Sequence, residues 1–448
     1  LERVIEFILH RLPFISRRLD VHMLEVVNGT AVALVLKVVG VGLAFSFNIL
    51  LARMLGVEGA GIYFLALTVA TIATVFGRMG LDNALLRFTA ANATIDNWEA
   101  VKGVYSKGMR LALIASSVSA TTMYFVAPLL ANMVFHKPEL AVPLRWMALA
   151  VVPMSLLILH AEMLKGLKRI RDSLLIYGVG VPALSLIGLY SLGRNRGING
   201  AVWAYTIATV IMVVLGTRLW RLATPQLHNI VGSFVTSELL KSSVPLFWVA
   251  FLSMMINWMA VFSLAIWGTN EDIGVFAIAI RVAMLISLVL LPVNSISAPK
   301  FAALYEKKDL MALGSMARNT TTLMALMASP LLILCLIVPG WIMGIFGKEF
   351  AGGGYLLAIM AIGEFINVAT GSVGYLLMMS GNERIMRNNV IFIAVLSVVL
   401  NVILVPSFGV TGAAISIAIC LSLMNLISAL FVWLRLGICT IPVIRISR

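Results

Sequence analysis

Acidic side chains are scarce in this chain: 19 Asp and Glu stand against 33 Lys and Arg, and charged residues of both signs make up only 12% of its 448 positions. A soluble domain carries about 25% charged residues, so this sequence cannot clothe a water-facing surface of the usual kind. With 61% hydrophobic residues and a mean hydropathy of +1.03, it reads as an integral membrane protein. Cysteine is nearly absent too. Cys335, Cys420 and Cys439 lie far apart in apolar segments, without the paired spacing of a metal or redox motif, and are read as packing residues. The patterns HExxH, GxSxG and GxxxxGK followed by Ser or Thr are missing, and Gly347-Lys348-Glu349 completes none of them. No nucleotide motor is encoded, His160 and Glu162 are weak metal candidates, and neither catalysis, a cofactor nor a metal is expected.

What is present is a series of apolar stretches. Twelve are long enough to cross a hydrocarbon core about 30 Å thick at about 20 residues each. They lie near 30–51, 60–77, 109–130, 141–163, 173–192, 198–217, 243–267, 273–298, 319–338, 353–380, 388–405 and 411–434. Their apolar character runs all round the segment instead of alternating, which predicts helices and excludes a barrel. Residues 1–29 mix Arg3, Arg11, Arg17 and Arg18 with apolar residues and read as a basic amphipathic segment on the cytoplasmic membrane surface.

A net charge of +14 would suggest nucleic acid in a soluble protein, but the loops give it another meaning. Of the Lys and Arg residues, 25 fall on the face that bears both termini and 5 on the opposite face: Arg53, Lys137, Arg194, Arg196 and Lys348. This asymmetry predicts cytoplasmic termini and an even number of spans, and no nucleic-acid partner is expected. The sequons at Asn28, Asn92 and Asn319 fall on or near that same side and are read as chance.

The chain is also written twice. Arg87-Phe88-Thr89-Ala90 is matched 213 residues later by Lys300-Phe301-Ala302-Ala303, and the same offset pairs Gly61 with Gly274. With small shifts, Gly197-Ile198-Asn199-Gly200-Ala201 answers to Gly409-Val410-Thr411-Gly412-Ala413. The expected fold is all-α: twelve transmembrane helices in two pseudo-symmetric six-helix lobes around a central cavity. The lobes are expected at 30–217 and 243–434, joined by a cytoplasmic linker at 218–242 and followed by a tail at 435–448. An internal repeat in a very apolar chain is the usual mark of a transporter with its site between the halves.

Charges inside the spans are the candidate site. Lys37 lies seven residues into the first span, about 10 Å from its end, and Arg281 lies eight residues into the eighth. A basic residue near a span centre costs about 2.5–3.5 kcal/mol, so it normally faces a partner or a wet cavity. Glu364 is the only acid this deep. Pairing of one base with Glu364 would be purely structural. One acid cannot neutralise both bases, however, so a cavity with surplus positive charge, suited to an anion, is expected. Arg145, only four residues into the fourth span, either joins that cavity or reaches the interface. Arg78, Arg87 and Lys300 are candidates for the cytoplasmic mouth.

The stretch Leu51-Ala52-Arg53-Met54-Leu55-Gly56, with Gly61-Ile62-Tyr63 and Gly80-Leu81-Asp82-Asn83-Ala84-Leu85-Leu86-Arg87-Phe88, resembles the Wzx-type polysaccharide flippases of the multidrug/oligosaccharidyl-lipid/polysaccharide exporter superfamily. Gly274-Val275-Phe276 and Pro299-Lys300-Phe301-Ala302 extend the likeness over nearly the whole chain. The resemblance implies two lobes in a V around a cavity. It also implies flipping of a polyprenyl-diphosphate-linked oligosaccharide to the outer leaflet of the cytoplasmic membrane by alternating access. Membrane lipids and polysaccharide polymerase machinery would be its partners, and Lys37 and Arg281 fit the basic cavity by position. A cation-coupled multidrug exporter is the alternative. Such exporters typically hold an acid in the first span, where this chain has Lys37.

Overall fold

The computed structural model describes residues 21–228 and 230–440, and every regular element among them is helical. Inside a bilayer no water satisfies backbone N–H and C=O groups, and a helix meets that demand within its own segment. Nine described helices are long and apolar enough to span. Two of the nine are hairpins. Val21–Arg78 turns at Gly56 into α1 (21–55) and α2 (57–78), and a second hairpin, Glu383–Leu436, turns at Gly409. Between them lie α3 (98–134), α4 (141–166), α5 (170–193), α6 (196–223), α7 (236–267), α8 (270–306), α9 (310–337) and α10 (354–379). The second hairpin gives α11 (383–408) and α12 (410–436). With α7, whose first turns are polar, the spans number twelve, each overlapping a stretch expected from hydropathy. Of the amphipathic segment expected at 1–29, residues 1–20 lie outside those described; from Val21 the chain is helical into α1. Residues 441–448 of the tail also lie outside them.

The duplication extends to the backbone. Gly197 holds φ 53°, ψ −132° at the start of α6, and Gly409 holds φ 57°, ψ −136° at the start of α12. Only glycine takes such angles without steric cost, and it lets one helix reverse into the next with no loop between them. The helix caps repeat as well. Asn97 Oδ1 accepts the Ala100 N–H at 3.2 Å before α3, and Asp309 Oδ1 accepts the Ala312 N–H at 2.9 Å before α9.

Packing divides unevenly between the membrane faces. One apolar core joins the lobes, running from Leu51, Phe64 and Leu144 to Ile278, Phe346 and Leu357, at the ends of the spans remote from the basic loops. Two others are each confined, one to residues 81–239 and one to residues 301–438. The lobes therefore share a core toward one face and have separate cores toward the basic face, where the start of α7 bridges them, Phe247 packing on Phe76 of α2 with ring centroids 5.4 Å apart. Under the first lobe, the short helix Leu81–Thr94 buries Leu81, Ala84, Leu85 and Thr89.

Candidate functional site

On the face opposite the basic loops, polar bonds seal the lobes together. Arg53 Nε donates to the Ile345 carbonyl at 2.8 Å, and Glu349 Oε2 accepts the Val57 N–H at 3.1 Å. In the reciprocal direction, Lys137 Nζ donates to the carbonyls of Ala265 at 3.0 Å and Gly268 at 2.7 Å, and the Asn270 amide donates to Glu139 Oε1 at 2.7 Å. Thus the loop after α3 grips the loop after α7, and the loop after α9 grips the turn after α1. Each lobe holds the other by equivalent parts. Lys137 is only 7% exposed. Burial pushes its pKa below the usual lysine range, against the opposing pull of Glu139 and Asp272.

The seal closes on Gly61 and Gly274, the pair matched by the sequence repeat. A Cβ on Gly61 would stand 1.8 Å from the Asn270 carbonyl oxygen, and one on Gly274 would stand 2.2 Å from that of Val57. Here α2 and α8 cross backbone to backbone, as membrane helices do where small residues meet. The sequence reading missed Lys137, Glu139, Asn270 and Glu349 as contacts. The signal was present in the five basic residues of that face, of which Arg53 and Lys137 belong to the seal.

Toward the basic face, α1 stands apart from α8 and α9 around a cleft of about 280 Å³. Lys37 is exposed at its rim, and its walls are apolar, including Val41, Leu285, Val289, Met327 and Leu331. The cleft follows a break in α8. There the helix Asn270–Ala283 yields to a 3₁₀ turn, Ile286–Val289, before Leu290–Glu306. Pro292 accounts for the break, since its ring crowds the carbonyl of Leu288 and it offers no N–H in return.

Arg281 lies four residues before Leu285, one turn or about 6 Å nearer the seal. It is half-buried, with its guanidinium 4.0 Å from the centroid of the Phe64 ring of α2 and one N–H on the Ala277 carbonyl at 2.6 Å. Cation–π contact with Phe64 of the other lobe holds this charge between α8 and α2. Lys37 thus lines the cleft from α1, while Arg281 stands on α8 one turn from the cleft-lining Leu285 and is not itself among the lining residues.

Glu364 does not join them. Among the described residues the ion pairs are Arg78–Asp82, Lys165–Glu162 and Arg169–Asp172. Glu364 is 8% exposed, and its carboxyl lies near the side chains of Ser287, in the α8 break, and Asn367. Its position ties α10 to that break within the second lobe. Arg145 is exposed over the Tyr124 ring, 5.6 Å from its centroid, and is not among the cleft's lining residues. At the basic face, Arg78 binds Asp82 at 2.6 Å, and Arg87 donates to Ser242 Oγ at 3.0 Å, tethering the short helix to α7. Lys300 is exposed near the end of α8. No group of three or more metal-ligating side chains is found among the described residues.

The chain is similar to known proteins in sequence and in fold. Over 406 residues the chain is 24% identical to a probable low-salt glycan biosynthesis flippase, Agl15 of Haloferax volcanii, covering 86% of this chain and 84% of that one. The lipid II flippase MurJ, in an inward closed conformation, superposes with a TM-score of 0.72 at 14% identity, over 91% of this chain and 87% of that one. An inward-facing multidrug resistance transporter of the MATE family and MOP superfamily gives 0.71 at 17% identity, over 91% and 98%. These solved structures share the twelve-helix, two-lobe fold. The family model described as polysaccharide biosynthesis protein matches residues 26–305, well over half of the sequence, and the chain belongs to that family.

Proposed function

We propose that this membrane protein is a flippase that moves a polyprenyl-diphosphate-linked oligosaccharide from the inner to the outer leaflet of the cytoplasmic membrane for surface polysaccharide biosynthesis. In this reading the basic face is cytoplasmic, both termini lie there, and a polymerase takes up the delivered glycan outside. The observation that carries it is the cleft. Its apolar wall and the lysine at its rim, with an arginine one turn beyond it along α8, suit an amphiphile whose anionic group joins a long apolar chain to a polar head. A soluble anion would have no use for the wall, and an uncharged lipid none for the lysine. Membership of the polysaccharide biosynthesis family and likeness to a glycan flippase support the same reading.

The geometry suggests how the cycle runs. With the lobes sealed on the opposite face and the cleft between α1, α8 and α9 toward the basic face, the diphosphate reaches Lys37 first. Arg281 then exchanges the face of Phe64 for a phosphate oxygen, because a charge-assisted hydrogen bond is stronger than a cation–π contact. That exchange removes one contact between the lobes. The α8 break at Ile286–Val289 is where the helix can bend as the seal opens. The test is replacement of each base by glutamine in a host that depends on this protein for its surface glycan. Loss of glycan display at normal protein levels is expected for Lys37→Gln and Arg281→Gln, and full display by both would exclude these residues from substrate handling.

A further inference from the structure

A second cavity lies outside the pathway between the lobes. It occupies about 490 Å³ at the basic face of the first lobe, between the start of α3, the end of α6 and the segment that follows. Lys102 and Arg221 line it and no acidic side chain does. Lys102 spends one N–H on the Leu227 carbonyl at 2.8 Å, which leaves two for a ligand. Arg221 is exposed, and no carboxylate pairs with either base among the described residues. The nearest acid on α3 is Glu99, one turn before Lys102, and it too is exposed. The floor is rigid. Tyr105 stacks on the buried Trp220 with centroids 4.9 Å apart and planes 12° from parallel, and its hydroxyl meets His160 Nε2 at 3.3 Å.

The surroundings identify the ligand's other end. Along α6, Ile207, Ile211 and Val214 are exposed at helical spacing, and the same stripe ends in exposed Arg218 and Arg221. Leu222, beside Arg221, is 71% exposed. An apolar stripe leading into two arginines matches a phospholipid laid along a helix, with acyl chains on the stripe and phosphate at its end. We infer that the Lys102–Arg221 cavity binds the headgroup of an anionic phospholipid, through its phosphate, from the leaflet on the basic face. Arg221 takes the phosphate oxygens in its planar fork, Lys102 supplies a second cation, and the Tyr105–Trp220 stack sets the depth to which the headgroup enters. This site is independent of the transport reading, since none of its residues lines the Lys37 cleft.

The test is native mass spectrometry of the full chain released from nanodiscs of phosphatidylglycerol and phosphatidylcholine, with and without millimolar inorganic phosphate. Wild type should retain phosphatidylglycerol preferentially, and Arg221→Gln and Lys102→Gln should each weaken that retention about fivefold. Arg110→Gln removes the same charge from an exposed position on α3 that does not line the cavity, and should leave retention unchanged. Equal retention by wild type and Arg221→Gln, or equal loss in Arg110→Gln, would overturn the site. Displacement of the lipid by inorganic phosphate would overturn the lipid as its occupant and leave a free phosphate in its place.

Discussion

Replacing Gly61 by alanine or valine places a side chain where α2 and α8 now touch. The new Cβ would start 1.8 Å from the Asn270 carbonyl oxygen, whereas an ordinary contact needs about 3.4 Å or more, so the helices must part by roughly 1.5 Å. The obstacle is backbone, which cannot swing aside as a long side chain would. Overpacking of this kind costs about 1–3 kcal/mol. The sealed arrangement bears that cost and the unsealed one does not, so the equilibrium should move about 5- to 150-fold toward the open seal. Separation also strains the neighbouring Asn270–Glu139 bond, now 2.7 Å, which adds to the shift. The assay is a distance distribution between spin labels at Glu58 and Glu271, both exposed beside the crossing, in a chain freed of Cys335, Cys420 and Cys439. Gly61→Val should broaden and lengthen the distribution relative to Gly61. An unchanged distribution in a folded Gly61→Val protein would refute the claim that this crossing holds the lobes closed.

The same label pair reads other parts of the seal. Glu139→Gln and Glu349→Gln each weaken a charge-assisted bond worth about 1.5–3 kcal/mol, and both should lengthen the distance, because the two grips are equivalent. Burial holds Lys137 below the pKa it has in water, so the open state binds more protons in the window beneath the ordinary lysine value. Raising the pH through that window should therefore favour the sealed distance, and Lys137→Met should abolish this dependence. Gly409→Ala forces a side chain into φ 57°, ψ −136° and should cost about 1–3 kcal/mol, seen as a lowered melting temperature in detergent. Gly42→Ala, inside α1 with no atom within 4 Å of its new methyl, should be neutral or raise it slightly.

Much of the scaffold was legible in the chain because lipid dictates it. Apolar runs had to be helices, and the matched pairs Gly61–Gly274 and Gly197–Gly409 are positions where the backbone itself needs glycine. Span ends were read less well. Hydropathy starts α3 near residue 109, yet the helix starts at Trp98, where the Asn97 cap sets its first turn in polar surroundings that hydropathy does not register. Likewise, the basic stretch after α2 hid the helix Leu81–Thr94.

The site was legible by residue type more than by partner. Lys37 and Arg281 stood out as costly charges, but nothing in the sequence joins Arg281 to Phe64, and Glu364 looked like an ion-pair partner until Ser287 and Asn367 were found around it. The seal was the least visible part. Arg53 meets Ile345 and Val57 meets Glu349 across 292 residues of chain, and such contacts carry no local pattern.

The most direct test of the account is flipping by the purified protein in liposomes, using a fluorescent polyprenyl-diphosphate oligosaccharide and a reagent that reaches only the outer leaflet. Wild type should transfer the lipid between leaflets, Lys37→Gln with Arg281→Gln should bring transfer near the protein-free rate, and replacing the diphosphate by an uncharged linkage should abolish it. Equal transfer of the charged and uncharged lipids, or wild-type transfer by the double variant, would contradict the claim that this cleft recognises an anionic, lipid-linked substrate.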